Sequence, residues 1–226
     1  MSELEIRDGW LIPSAVQPGF MDKWIREAKE HIELVLPYLK GRNHAIQAGG
    51  NLGIWPRMLV REYGFKRVTT FEPDETNFRC LLHNTASLLQ VEKINTALGE
   101  EICQVKWARA SAHKPGWHKI APPDYKKTAS VVMVDTIDNL HTEECDFIAL
   151  DVEGYELPAL RGAKATIEKF RPVILFEDLG NSQSESFRKK SGTAYGFDPG
   201  STQLWLVNHG YEKVTAIQND EVWVPR

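Results

Sequence analysis

Short apolar segments alternate with amphipathic helical segments along most of this sequence. Strands are predicted at residues 44–48, 67–71, 145–151 and 172–177, because each of these segments is short and almost continuously apolar. Such strands are typical of a parallel sheet that is buried on both faces. The pattern between them predicts a further strand at 92–98 and helices at 53–64, 74–89, 155–169 and 200–209. This alternation favours an α/β fold with a doubly wound, mostly parallel sheet.

The two ends of the chain depart from the alternation. Residues 20–40 carry apolar side chains at helical spacing, so we predict an N-terminal helical extension over residues 1–40 and one main domain over 41–226. Two strand-like segments, 211–217 and 221–225, flank a short polar turn near the C-terminus. They predict an antiparallel hairpin at one edge of the sheet.

Composition limits the classes of function. With 27 Lys and Arg against 31 Asp and Glu, the net charge is −4, so we expect no nucleic-acid partner. The three cysteines, Cys80, Cys103 and Cys145, are odd in number, widely spaced and without a CxxC pair, so we expect neither a disulfide framework nor a structural zinc site. The chain lacks a run of about 20 apolar residues, so we expect no membrane span and a cytoplasmic location.

A glycine-rich loop, within the stretch HAIQAGGNLGIWP, follows the first predicted strand of the alternation. In α/β sheets, ligands bind beyond the carboxyl ends of the strands. Gly49, Gly50 and Gly53 allow a close approach of the ligand to the backbone, and Asn51 tolerates a left-handed conformation. The loop also opens a helix, whose first N–H groups are free to bind a ligand. The sequence therefore predicts a nucleotide-binding loop.

A carboxylate follows the next strand. Glu72 lies 19 residues beyond Gly53 and is followed by Pro73. An acidic side chain at this point can accept hydrogen bonds from both ribose hydroxyls of an adenosine. The alternative role, capping the next helix, suits Asp74 better.

Longer strings resemble one family. FEPDETNFRCLLHN, CDFIALDVEGYELPALRGA and RPVILFE, in this order after the glycine loop, resemble the FkbM-type S-adenosylmethionine-dependent methyltransferases over about residues 44–225. The resemblance implies a Rossmann-like class I methyltransferase fold with S-adenosylmethionine as the cofactor. The cofactor-binding residues that it implies are Gln47, Gly49, Gly50, Asn51, Gly53, Glu72, Pro73, Asn77, Ala97, Leu98 and Asp151.

The chain departs from the family pattern at the glycine loop. Gln47 stands where the family has an acidic residue that helps to hold the amino group of the cofactor. A glutamine carbonyl can accept a hydrogen bond from that ammonium group, although without the charge. Either the cofactor binds more weakly, with Gln47 contacting it through its backbone or amide, or Asp151 supplies the charge.

The chemistry expected from the resemblance is transfer of a methyl group to a hydroxyl, on a carbohydrate or a small metabolite. Asp151, Glu153 and Glu177 are the candidate catalytic residues, because they follow two neighbouring strands, and Glu156 lies close behind. One carboxylate could remove the proton of the acceptor while others orient the cofactor. Alternatively, the carboxylates could hold Mg²⁺, which prefers oxygen ligands.

The proline-rich segment 100–130 interrupts the alternation and is predicted to form a hairpin or excursion beside the sheet. His118, with Trp117 and Tyr125, is a candidate for binding the face of a sugar. Two other functions stay open at this point. The chain could be a binding or assembly protein that retains the fold without catalysis, or an NAD-dependent oxidoreductase, although Ala48 replaces the first glycine of the dinucleotide fingerprint.

Overall fold

The computed structural model describes residues 3–110, 114–123, 125–126, 130–178 and 192–226. The elements of the first half are β1 (Leu4–Arg7), β2 (Trp10–Pro13), α1 (Phe20–Val35), β3 (His44–Ala48), α2 (Ile54–Arg61), β4 (Arg67–Phe71), α3 (Glu75–Asn84), β5 (Val91–Ile94), β6 (Ala97–Leu98) and β7 (Cys103–Ala108). Those of the second half are β8 (Lys119–Ile120), β9 (Ser130–Asp135), β10 (Phe147–Leu150), α4 (Glu156–Arg161), α5 (Lys164–Phe170), β11 (Val173–Glu177), α6 (Ser201–Asn208), β12 (Tyr211–Ile217) and β13 (Asp220–Pro225).

The main sheet confirms the predicted doubly wound architecture. Among the described residues it contains seven strands in the order β12-β13-β11-β10-β3-β4-β5. The strands from β11 to β5 are parallel, whereas β13 pairs antiparallel with both β11 and β12. The strand order changes direction between β3 and β10, so the carboxyl ends of these two strands form the switch point where α/β sheets bind ligands.

Helices cover both faces of this sheet, which explains the continuous apolar character of its strands. Ala45 faces a core cluster built with α1 and α2, while its neighbour Ile46 faces a second cluster built with α4 and α5. Both side chains are fully buried. Helix α1 packs against α2 and contacts β13, so it closes one side of the sheet.

The segment between β5 and β10 builds a second, smaller sheet in the order β6-β9-β7-β8. The hairpin predicted for 100–130 is therefore present, as β7 paired antiparallel with β8 and β9. The prediction of a single strand at 92–98 is wrong, because the chain leaves the main sheet after Ile94 and enters the small sheet at Ala97. At this break the side chain of Asn95 donates a hydrogen bond of 2.7 Å to the carbonyl of Glu72.

Other elements also differ from the predictions. Helix α3 ends at Asn84 instead of residue 89. Directly after Asn84, the Thr85 hydroxyl donates a hydrogen bond of 2.7 Å to the Leu81 carbonyl. The helix predicted at 155–169 is divided into α4 and α5 around Gly162, which lies so close to Gly99 that a Cβ atom would stand 1.9 Å from its carbonyl oxygen. The hairpin β1–β2, which precedes the predicted N-terminal helix, was not predicted.

Of the helices in the described part of the chain, none combines the length and the apolar character needed to cross a bilayer.

Candidate active site

Two cavities meet at the carboxyl ends of β3 and β10. The inner cavity extends toward β4 and β6, and the outer cleft extends toward β11, β13 and α1. They share the wall residues Ala48, Gly49, Asn51, Gly116 and Asp151. A ligand that passes this shared wall can therefore occupy both cavities.

The glycine loop shapes this junction. Gly49 has a φ of 86°, and a Cβ atom at this position would lie 2.1 Å from the carbonyl oxygen of Asp151, so only glycine fits. The N–H groups of Gly49 and Gly50 both donate to the Phe71 carbonyl, at 3.1 and 2.8 Å. Asn51 has a φ of 46°, which confirms the left-handed conformation expected of it.

The other two predicted glycines pack against α3. A Cβ atom on Gly50 would lie 3.0 Å from a methyl group of Leu81, and one on Gly53 would lie 3.2 Å from the other methyl group. Gly50 also lines the outer cleft. Both glycines thus let α3 approach the loop.

Glu72, the predicted ribose ligand, lies in the wall of the inner cavity. Its side chain is 4% exposed and accepts hydrogen bonds from the N–H groups of Asn51, at 2.7 Å, and Asp74, at 2.8 Å. Burial raises the pKa of Glu72 to about 8, against the two hydrogen bonds, which lower it. Each carboxylate oxygen can accept a further hydrogen bond, so the group remains able to bind a ligand.

Three buried polar atoms of the inner cavity have no hydrogen-bond partner among the residues that the structure describes. They are the side-chain oxygens of Asn51, Asn77 and Thr96. Asn77 is only 2% exposed. Buried polar atoms are normally paired, so these three oxygens point to a ligand that donates hydrogen bonds.

The remaining wall of the inner cavity is largely apolar. It includes Pro73, Ala97 and Leu98, as predicted, together with Phe71, Trp107, Ile120 and Tyr155. An apolar slot with a few convergent polar atoms is the usual form of a small-molecule site. The combination fits a planar base with an attached sugar.

A short segment around Pro115 covers this cavity. The Asn77 amide donates a hydrogen bond of 2.9 Å to the Pro115 carbonyl and so joins α3 to the segment. Asp74 caps α3, as predicted, by accepting from the N–H groups of Thr76 and Asn77, and it also pairs with Arg109 at 2.7 Å. These contacts hold β7, α3 and the cover together.

The three residues expected to bind a sugar face lie in different places. His118 lines the inner cavity and Trp117 lines the outer cleft. The Nδ1 atom of His118 accepts a hydrogen bond of 2.8 Å from the N–H of Ala110, and burial lowers the pKa of His118. The N–H of Tyr125 donates a hydrogen bond to the Pro122 carbonyl. His118 therefore belongs to the cover of the inner cavity.

Gln47 lines the outer cleft and forms three hydrogen bonds within the protein. Its amide oxygen accepts from the Thr70 hydroxyl at 2.5 Å, and its amide nitrogen donates to the carbonyls of Ala48 and Gly49, at 3.1 and 2.8 Å. The side chain is 2% exposed. Two carbonyls facing the nitrogen fix the orientation of the amide. Gln47 thus stabilises the glycine loop through its hydrogen bonds to the carbonyls of Ala48 and Gly49.

The three candidate catalytic carboxylates do converge. Oxygens of Asp151, Glu153 and Glu177 lie within 4.8 Å of one another in the outer cleft. Burial and the neighbouring carboxylates raise the pKa of Glu177 to about 10. Asp151 is exposed to the cleft. The protein atoms around it nevertheless reduce the solvation of its carboxylate, and this raises the pKa of Asp151 to about 6. Such a cluster favours a cationic ligand.

Glu156 has a structural role in this loop. Its buried carboxylate accepts hydrogen bonds from the N–H groups of Val152, at 3.3 Å, and Gly154, at 3.1 Å. It thereby holds the turn in which Glu153 has a φ of 56°.

Sequence reasoning missed one wall of the outer cleft. Helix α1 contributes Trp24, Glu27 and His31, which lie on one helical face. His31 lies 3.7 Å from Asp220, at the start of β13, and its Nε2 atom has no hydrogen-bond partner within the described part of the chain. Their spacing of three and four residues was visible in the sequence, but the surface that α1 would cover was not.

The strand order, the glycine loop and the carboxylate beyond β4 together define a class I methyltransferase fold. The sequence profile described as Methyltransferase FkbM domain matches residues 47–213. This match covers well over half of the chain, so the protein belongs to the FkbM methyltransferase family. A search of curated protein sequences finds no significant match.

One solved structure with a TM-score above 0.5 agrees with this fold. The methyltransferase FkbM from Methylobacillus flagellatus KT superposes with a TM-score of 0.53 and 17% identity, covering 80% of this chain and 43% of that one. The present chain therefore spans less than half the length of that protein. Weaker likenesses, with TM-scores below 0.5, are the N-methyltransferase NodS from Bradyrhizobium japonicum WM9 (0.48, 11% identity, 92% of this chain and 99% of that one) and M. jannaschii TYW2 in complex with AdoMet (0.47, 13% identity, 99% and 86%).

Proposed function

We propose that this protein is an S-adenosylmethionine-dependent methyltransferase that acts on a hydroxyl of a carbohydrate or another small molecule. The observation that carries the proposal is the junction of the two cavities at Gly49 and Asp151. One cavity suits a nucleoside and the other suits a polar acceptor. Their shared wall is where a reactive group attached to the nucleoside would meet the acceptor.

The inner cavity would hold the adenosine part of the cofactor. Glu72 would accept hydrogen bonds from the ribose hydroxyls, as carboxylates at this position do in nucleotide sites. Asn77, with its unpartnered oxygen, would accept from a donor on the base or sugar. Pro73, Ala97 and Leu98 would pack against the base.

When bound, the cofactor supplies an electrophilic methyl group on a sulfonium. The residues of this chain must then remove the proton of the acceptor hydroxyl. A base has to be ionised at neutral pH, and with a pKa of about 6 Asp151 meets this condition, whereas Glu177 does not. Asp151 is therefore the favoured base, and Glu153 and Glu177 would orient the reactants.

Three tryptophan side chains in the outer cleft support the proposal that the acceptor is a carbohydrate or another flat molecule. Trp24, Trp55 and Trp117 line the outer cleft from α1, α2 and the cover of the inner cavity. Aromatic faces pack on apolar CH groups, and carboxylates accept hydrogen bonds from hydroxyls. Mg²⁺ is a second possible occupant of the carboxylates, because their spacing would also allow a hard cation to draw them together.

Calorimetric titration with S-adenosylhomocysteine, the demethylated product, tests the proposal. We expect saturable binding at a stoichiometry of about one, since a single cavity junction is proposed. No binding at millimolar concentration would contradict it, and binding of NADH instead would favour the oxidoreductase. Protein that binds the product but transfers no methyl group to a panel of sugars and alcohols would favour the non-catalytic alternative.

A further inference from the structure

Two residues that are far apart in sequence face each other in the wall of the outer cleft. His31 comes from the C-terminal half of α1, and Asp220 is the first residue of β13. The Nε2 atom of His31 lies 3.7 Å from the Oδ2 atom of Asp220. The family match covers residues 47–213, so the two residues lie on either side of it. The pair is therefore a feature of this chain that the family match does not describe.

The register of the sheet determines the position of Asp220. Glu177 of β11 pairs with Asp220, two positions along the strands from the pair Leu175 and Val222. Leu175 and Val222 belong to the core cluster on the α1 side of the sheet. Because side chains alternate between the two faces of a strand, Asp220 lies on the α1 side as well. It lies where the apolar core gives way to the cleft.

The pattern of α1 determines the position of His31. Ile32 and Val35 are buried in the same core cluster, and His31 lies at the edge of this buried face. Glu27 and Trp24, which precede His31 by four and seven residues, also line the cleft. Residues at this spacing lie on one side of a helix. The side chain of His31 is 14% exposed, so the imidazole is held between the core and the cleft.

The gap between the two side chains is not closed by the protein. A separation of 3.7 Å is too long for a hydrogen bond. The Nε2 atom of His31 is buried, and no described residue bonds to it. Burial lowers the pKa of His31, although Glu27 and Glu30 raise it, so the ring is uncharged at neutral pH and forms no ion pair. Buried polar atoms are normally paired, which indicates that another group enters this gap.

A hydroxyl group has the chemistry that this gap requires. The nearby carboxyl oxygen of Asp220 favours the tautomer of His31 with the proton on Nε2. A hydroxyl oxygen can accept a hydrogen bond from this N–H while its own proton is donated to Asp220. An ammonium group has no acceptor for the imidazole, and an ionised carboxylate has no donor for Asp220. Water shares the chemistry of a hydroxyl, so the test must separate the two.

Fixed aromatic side chains line the same cleft. Trp24 packs edge-on against Phe20, with ring centroids 5.5 Å apart, and Trp55 stacks on Phe147 at 6.5 Å. Aromatic faces pack on apolar CH groups. A molecule that carries both hydroxyl and CH groups on a compact ring can therefore contact the tryptophans and the gap together.

We propose that His31 and Asp220 bind a hydroxyl group of the acceptor and so select polyhydroxyl acceptors. The inference rests on the proposed function, since the acceptor is the substrate of that reaction. Both residues line the outer cleft and not the inner cavity, whereas Asp151 lies at the junction of the two. The hydroxyl that they hold is therefore a second one, away from the hydroxyl that receives the methyl group.

Quenching of tryptophan fluorescence tests the inference in protein saturated with S-adenosylhomocysteine. The probes are methyl α-D-glucopyranoside, methyl α-D-mannopyranoside, myo-inositol and glycerol, each at millimolar concentrations. We expect saturable quenching by at least one probe, because Trp24 and Trp55 line the cleft that it would enter. The affinity for S-adenosylhomocysteine itself is measured separately by calorimetry.

Two substitutions of His31 separate binding from packing. His31→Phe keeps a ring but loses both nitrogens, so it should weaken binding of the probe about 10-fold. His31→Gln places an amide nitrogen near the position of Nε2 and should retain the affinity within about threefold. Asp220→Leu removes the other partner, should also weaken binding about 10-fold, and serves if His31→Phe does not fold. His83→Gln, on an exposed position of α3, is the control and should leave the affinity unchanged.

The possible results distinguish the hypotheses. If none of the four probes quenches the fluorescence of the unaltered protein saturably, water alone fills the gap and the inference is overturned. If His31→Phe binds the probe normally while His31→Gln does not, the imidazole only packs, and the inference is overturned as well. A parallel loss of affinity for S-adenosylhomocysteine in both His31→Phe and Asp220→Leu would show that the pair shapes the junction instead. Failure of the unaltered protein to bind S-adenosylhomocysteine would overturn the proposed function.

Discussion

The carboxylate of Glu72 accepts a hydrogen bond of 2.7 Å from the backbone N–H of Asn51, across the mouth of the inner cavity. The two residues follow neighbouring parallel strands, and the bond joins the glycine loop to the end of β4. Asn51 adopts a left-handed conformation in the loop before α2, and its N–H points at the carboxylate. Glu72 therefore both shapes the cavity and lines it.

Replacing Glu72 by alanine should weaken binding of S-adenosylhomocysteine by about 10–100-fold, since each buried hydrogen-bonding group left without its partner costs about 1–3 kcal/mol. The loss has two sources, the missing acceptor for the ribose and the unpaired N–H groups of Asn51 and Asp74. Calorimetric titration measures the affinity. Glu92→Gln, which alters an exposed carboxylate on the adjacent strand β5, should leave it within about twofold. An unchanged affinity in Glu72→Ala would contradict the assignment of the inner cavity.

Gly49→Ala should abolish binding of the cofactor product. The added methyl group would stand 2.1 Å from the carbonyl oxygen of Asp151, and the φ of 86° is itself unfavourable for alanine by about 1–2 kcal/mol. The junction of the two cavities must then widen. Gly64→Ala is the matched control, because Gly64 also has a positive φ of 70° but nothing within 4 Å of its Cβ position. Gly64→Ala should show a similar decrease in the free energy of unfolding, measured in urea, because of the same backbone strain. Its affinity for S-adenosylhomocysteine should be unchanged.

Gln47→Glu should destabilise the fold by about 1–3 kcal/mol, because the Gly49 carbonyl loses its donor, whereas the Ala48 carbonyl keeps the Asp151 N–H. The new carboxylate would face the carbonyl oxygens of Ala48 and Gly49, which now accept from the amide. Urea unfolding measures the free-energy difference. If the glutamate instead improved binding of S-adenosylhomocysteine without loss of stability, the side chain would be turning toward the ligand, contrary to the hydrogen bonds described here.

Local pattern was sufficient to predict the main sheet, because each buried strand is short, apolar and flanked by turn residues. The strand Arg67–Phe71 was predicted to the residue. The splitting of 92–98 was not predictable in this way, since nothing in the pattern shows that Ala97 pairs with Val134 instead of continuing beside β4. That choice depends on the tertiary pairing of β9, far along the chain.

The candidate site shows the same division. Glu72 and Asn51 could be placed from the sequence, because each directly follows a strand and so lies at the carboxyl end of the sheet. Gln47 could not, since its role depends on the rotamer that brings its amide to Thr70 and Gly49. The position of His31 in the wall of the outer cleft could not be predicted from the sequence either, because it depends on which strand α1 covers.

The pH dependence of stability follows from the buried acids. Burial raises the pKa of Glu72 and of Glu156 to about 8, and burial with neighbouring carboxylates raises that of Asp220 to about 7. In the unfolded chain these groups titrate near 4 to 4.5, so above that range the folded state binds more protons than the unfolded state. The free energy of unfolding then decreases as the pH rises.

Thermal unfolding should therefore show a melting temperature that falls steadily from about pH 6 to about pH 9. The pKa of Glu177, raised to about 10, extends the decline beyond pH 8, because that carboxyl must also ionise among its acidic neighbours. Glu177→Gln, which stays neutral throughout, should make the decline shallower, whereas Glu212→Gln on the exposed strand β12 should not. A melting temperature that rose across this interval would mean that the acids are already ionised in the folded protein, held by cations close to them.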